Sequence, residues 1–147
     1  MRERASIVCV DKEKLLLVKL CDPKSGRVFF APPGGKVESG ETPGDAAVRE
    51  TFEETGCREK ISPGIAMIEE YNFFWDGRNV LCRTHYFAAQ LESETSIQPA
   101  DAAYNLGREW CPLSEVFTRV ESEGGINAAV VEVIGAMHCS VGVTHVN

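Results

Sequence analysis

The stretch from residue 32 to residue 57 constrains this chain most, because it dictates a loop, a helix start and a helix stop in close succession. Pro32-Pro33-Gly34-Gly35 predicts an irregular loop: prolines cannot donate to a strand ladder, and glycines accept backbone angles that other residues resist. Thr42 suits an N-cap and Pro43 the first helical position, and Asp45, three residues after the cap, can complete a capping box. The helix is expected over 43–55, with Gly56 as its left-handed stop and Val48, Phe52 and Thr55 as its inward stripe. Glu50, Glu53 and Glu54 stand at i, i+3 and i+4, so three carboxylates share one face. Such like charges repel one another. Arg49, four residues before Glu53, neutralises part of the set, and a divalent cation would neutralise the rest. Magnesium prefers a few carboxylate oxygens and binds together with substrate phosphates. Taken alone, the same pattern is that of a solvated acidic face, so its surroundings must decide.

Those surroundings are rich in strands. Residues 6–10 and 14–20 are apolar, β-branched runs about Asp11-Lys12-Glu13 and read as a hairpin. A turn at 23–26 leads to a short strand at 28–30. Residues 65–75 and 79–91 read as longer strands joined by Asp76-Gly77-Arg78. Residues 93–107 read as mostly irregular, 109–111 as a short strand, and 114–120 and 126–138 as helices. Interspersed strands and helices predict an α/β or α+β class with a mixed sheet.

At 147 residues the chain suits one domain. Its net charge of −7 argues against binding nucleic acid by bulk electrostatics, but not against a small anion held through a metal. The six cysteines form no C-x-x-C pair and the three histidines no zinc pattern, so reduced cysteines and no zinc site are expected. No apolar run suits a signal peptide or a bilayer span, which predicts a cytoplasmic protein without a membrane partner.

From Gly35 the chain continues with Glu41, Arg49-Glu50, Glu53-Glu54 and Gly56, and this spacing resembles the Nudix hydrolase signature G-x5-E-x7-R-E-U-x-E-E-x-G-U, where U is bulky and aliphatic. All seven fixed positions match, a coincidence of order ~10⁻⁸ at any one start at ordinary residue frequencies. Thr51 and Cys57 depart from the preferred type at two U positions, which concerns packing. Pro33-Gly34-Gly35-Lys36 and the segment 109–115 also resemble the family.

The resemblance implies an α/β/α sandwich with a mixed sheet and the box as loop-helix-loop, spanning 1–147 as one domain. It implies Mg²⁺-dependent hydrolysis of a diphosphate linkage, with Mn²⁺ able to substitute. By the same resemblance Glu50, Glu53 and Glu54 are metal ligands with the Gly34 carbonyl, Arg49 orients a carboxylate, and Glu41 holds the loop. The general base is Glu50 or, outside the box, Asp101 or Glu109. Markers of NADH, ADP-ribose, diadenosine tetraphosphate and coenzyme A hydrolases are missing, which leaves a nucleoside triphosphate as the first expectation. A dinucleoside polyphosphate or nucleotide sugar is the alternative. A silent nucleotide-binding module is disfavoured because every box glutamate is present, and a homodimer is left open. Tyr71, Phe73 and Trp75 alternate on one strand face with Arg78 beyond, an arrangement that could stack a base or simply pack the sheet. Arg83 and His85 share a face of the next strand, facing either a pocket or solvent.

Overall fold

In the computed structural model, which describes residues 1–99 and 103–146, Lys12 and Glu13 both take positive φ and reverse the chain between β1 (Arg2–Asp11) and β2 (Lys14–Cys21). β1 and β2 pair only beside this turn, at Val10–Leu15 and Asp11–Lys14. Beyond it they diverge, and each recruits other partners. β1 pairs antiparallel with β4 (Gly34–Lys36) and parallel with β6 (Arg78–Glu94), which in turn pairs with β5 (Cys57–Trp75). β2 pairs with β3 (Val28–Ala31) and β7 (Asn105–Pro112), both antiparallel. The result is a mixed seven-stranded sheet whose central order is β3-β2-β1-β6-β5.

Alternation along β1 gives that sheet two apolar faces. Ala5, Ile7 and Cys9 pack with Ala46 and Ala47 of α1 (Pro43–Thr55). Val8 faces the other way, into a cluster with Tyr86, Val130 and Val133, the last two from α3 (Ile126–Val146). Helices therefore cover both faces, as the α/β/α expectation has it. Among the described residues no helix is long and apolar enough to cross a membrane.

The central helix forms as its sequence dictates. The Thr42 hydroxyl accepts the Asp45 N–H at 3.1 Å, and Gly56 stops the helix at φ 78° with its N–H on the Phe52 carbonyl. The inward stripe differs from expectation: Ala46, Ala47, Thr51 and Thr55 are buried, whereas Val48 and Phe52 are only partly so. Small side chains let α1 lie close on the sheet, and this explains why a threonine serves at a position where the motif prefers a bulky residue.

Gly34 and Gly35, expected in an irregular loop, instead pair with Ser6 and Ala5 as part of β4. A Cβ at Gly34 would collide with the Ala5 carbonyl oxygen, so the glycine permits the close approach. β5 starts eight residues before the expected Ile65, because a register shift between Ile61 and Ala66 absorbs Pro63-Gly64. β6 and β7 likewise extend into the stretch expected to be irregular. The helix expected over 114–120 is a 3₁₀ turn (Leu113–Glu115) followed by the single-turn α2 (Val116–Arg119).

Candidate active site

The wedge where β1 and β2 diverge opens into a cavity of about 320 Å³. Glu50 and Glu54 of α1 reach one side of it, beside Gly34 and Gly35. Glu54 Oε1 accepts the Gly34 N–H at 2.8 Å, which ties the helix to β4. Glu50 leans over Gly35, where a Cβ would stand only 2.5 Å from the Glu50 carboxyl carbon. The two glycines thus make room for the two carboxylates.

Arg49 organises the acidic side chains. Its Nε and Nη2 grip Glu41 at 2.7 and 2.9 Å, its Nη1 reaches Glu50 at 3.0 Å and Glu53 at 3.3 Å, and Nη2 also donates to the Lys36 carbonyl at 3.2 Å. This fork geometry holds the Glu41 carboxyl down to about 2, chiefly through the Arg49 hydrogen bonds. Burial pushes the Glu50 carboxyl upward, with Arg49 and Arg4 opposing the shift only in part. Glu53 is different. Its side chain is 56% exposed against 18% for Glu50, and it lies outside the cavity lining. Among the described residues, no three acidic, histidine or cysteine side chains already stand together at metal-binding spacing.

The far end of the cavity is aromatic. Phe29, Phe73, Trp75 and Tyr104 line it, with ring centroids 5.7 Å apart for Phe29–Phe73, 5.9 Å for Phe29–Trp75 and 5.7 Å for Trp75–Tyr104. Tyr71 joins them and shares a hydrogen bond of 2.7 Å with Thr84. Tyr71 and Phe73 also pack against the α3-side core, as the packing reading of the alternating strand expects. Among the described residues, the ring contacts of Trp75 are with Phe29 and Tyr104, both of the cavity.

The remaining candidates lie elsewhere. Arg78 is exposed beside the turn and does not line the cavity. Arg83 and His85 gather around Glu3, at 3.0 Å each, on the opposite face of the sheet. Glu109 is bound to Arg119 at 2.6 Å, away from the cavity. Asp101 lies outside the described residues. Conversely, Phe29, Tyr104, Arg2, Arg4 and Lys36 line the cavity without having been singled out in the sequence. The period-2 repeat of Arg2 and Arg4 was the one readable signal, and it acquires meaning only once β4 is known to lie beside β1.

A family model described as NUDIX domain matches residues 1–128. Putative mutator protein MutT4 of Mycobacterium tuberculosis is 31% identical over 101 residues, covering 66% of this chain and 38% of that protein. The human diphosphoinositol polyphosphate phosphohydrolase NUDT4B is 26% identical over 133 residues, covering 89% of this chain and 69% of that protein. In fold, the chain is similar to a solved NUDIX hydrolase from Nitrosomonas europaea, with a TM-score of 0.72 at 20% identity, covering 92% of this chain and 88% of that one.

Proposed function

Since this chain belongs to the NUDIX family, we propose that it is a divalent-metal-dependent hydrolase of a diphosphate linkage in a nucleotide, most concretely of a nucleoside triphosphate to the monophosphate and pyrophosphate. One observation carries this reading: a single cavity joins paired carboxylates, Glu50 and Glu54, to a wall of aromatic rings. Carboxylates suit a metal and a diphosphate, and flat rings suit a base. The volume, about 320 Å³, is at the small end for ligand sites and fits one nucleotide better than two.

The donor set fits a hard cation, because Glu50 and Glu54 offer carboxylate oxygens and no imidazole lines the cavity. Glu50 and Glu54 would hold the ion with the Gly34 carbonyl, and the exposed Glu53 is the third candidate. Bound there, Mg²⁺ or Mn²⁺ would neutralise phosphate oxygens and acidify an attacking water. The protein's own part is positioning. Arg49 fixes Glu50 through Oε1, and among the described residues Oε2 carries no hydrogen bond, which leaves that oxygen for the ion or for the proton of a water. Glu50 is therefore a better candidate base than Glu109, which Arg119 engages. Glu41 acts through Arg49 and is a positioning residue.

The test is a substrate panel of nucleoside triphosphates, dinucleoside polyphosphates, nucleotide sugars and diphosphoinositol polyphosphates, run with Mg²⁺ and resolved by chromatography. Preferential cleavage of one or more triphosphates is expected, abolished by chelation and restored by Mg²⁺ or Mn²⁺. Full activity after exhaustive chelation, or restoration by zinc alone, contradicts the reading.

A further inference from the structure

The chain carries 22 acidic residues against 15 basic ones, and its arginines are mostly spoken for. Arg27, Arg49, Arg83, Arg108 and Arg119 each form an ion pair. Arg2, Arg4 and Lys36 are the exception within the cavity lining: among the described residues, none of their side chains has a hydrogen bond or ion pair, although Glu50 feels the charge of Arg4.

Strand register explains how these three cations meet. Arg2 and Arg4 are two residues apart on β1 and project from the same face. Arg4 is directly opposite Lys36 across the antiparallel β1–β4 pair, a placement that sets Cβ atoms ~5 Å apart. Arg2 neighbours Cys82 on β6, and Cys82 neighbours Tyr71 on β5. The cationic row therefore continues into the ring row of Tyr71, Phe73 and Trp75, and all six of these residues line the same cavity. Like charges facing one another across strands destabilise a sheet unless an anion lies between them. Arginine forks match phosphate oxygens bidentately, and lysine adds a point charge.

We propose that Arg2, Arg4 and Lys36 form a polyphosphate cradle that selects substrates with a phosphate chain extending beyond the linkage cut. The inference rests on the diphosphate-hydrolase reading for its catalytic consequence, but not for anion binding itself. A nucleoside triphosphate places its base among the rings and its chain along the cations. A nucleotide sugar presents a neutral group where the cradle offers charge, and is disfavoured.

Inorganic tripolyphosphate, titrated calorimetrically into metal-free protein, is the direct probe. The native chain should bind it in a salt-sensitive manner. Arg4→Gln and Lys36→Gln should each weaken binding on the order of tenfold or more, the usual effect of losing a charge-assisted bond. Lys24→Gln, outside the cavity lining, should leave it unchanged. In turnover, Arg4→Gln should lower kcat/KM for triphosphates far more than for a nucleotide sugar. If Arg4→Gln does not fold, Lys36→Gln, at an exposed position, carries the same reading alone. Absence of tripolyphosphate binding, or equal affinity in the native chain and the cradle variants, overturns the proposal. Tripolyphosphate binding through these residues in a protein that cleaves no nucleotide supports the cradle and refutes the proposed function instead.

Discussion

The two walls of the cavity are built on different principles. The acidic wall is local and wired by charge: Glu50 and Glu54 come from one helix, and Arg49 ties Glu50 to Glu41 and Glu53, which lie outside the lining. The opposite wall is assembled from β1, β3, β5, β6 and the approach to β7, and its rings hold one another by edge and tilted contacts. Local charge wiring fixes where a reaction can occur. Long-range apolar packing shapes what can reach it. Substitutions in the acidic wall should therefore lower kcat, and substitutions in the ring wall should raise KM.

Glu54→Gln should have the largest effect. It keeps size and helix propensity but removes a charge facing the cavity, and kcat should fall on the order of a hundredfold or more. Thermal melting should be little changed. Normal turnover at saturating Mg²⁺ would break the assignment of this wall.

Gly35→Ala is the next step down, and it acts without touching a charge. The added Cβ would stand 2.5 Å from the Glu50 carboxyl carbon, so the carboxylate must move. Displacement by about an ångström costs roughly a hundredfold where positioning matters. Steady-state kinetics should show the loss in kcat, and a crystal structure of the variant should show Glu50 displaced.

Glu59 is the acidic residue that the comparison does not place. It is buried on β5, among the described residues neither carboxylate oxygen has a hydrogen-bond partner outside its own residue, and burial pushes its carboxyl up to about 8. The folded state therefore keeps this proton while the unfolded chain loses it above the ordinary carboxylate range. Its contribution to stability is most favourable at acid pH and declines as pH rises from about 4.5 to about 8. Glu59→Leu should stabilise the protein by about 2 kcal/mol or more at pH 8 and by less at pH 5. Chemical denaturation at both values checks this; an equal gain at both would contradict the shifted carboxyl.

Trp75→Ala sharpens the other side of the comparison with a smaller effect. Loss of base stacking should raise KM by the equivalent of about 1–3 kcal/mol with kcat nearly constant. If the ring only supports Phe29 and Tyr104, the melting temperature should fall and KM should not change.

The same contrast explains what could be read in the sequence. The helix, its cap at Thr42, its stop at Gly56 and the face shared by Glu50 and Glu54 follow from spacing within one segment. That Glu53 turns away from the cavity does not, because the direction depends on where β4 meets the helix. Phe29 and Tyr104 escaped notice because nothing local joins them to Trp75; only the pairing of β3 and β7 on β2 does. The alternation of Arg2 and Arg4 was visible, but its partner Lys36 sits in a glycine segment that read as a loop.

On the proposed function, one cavity aims water at a bridging diphosphate. Hydrolysis of a nucleoside triphosphate in ¹⁸O-labelled water with Mg²⁺, followed by mass spectrometry of both products, tests it most directly. Nucleoside monophosphate and pyrophosphate are expected as the primary products, with the label in one of the two marking the phosphorus attacked. Nucleoside diphosphate and labelled orthophosphate as the sole primary products would contradict it.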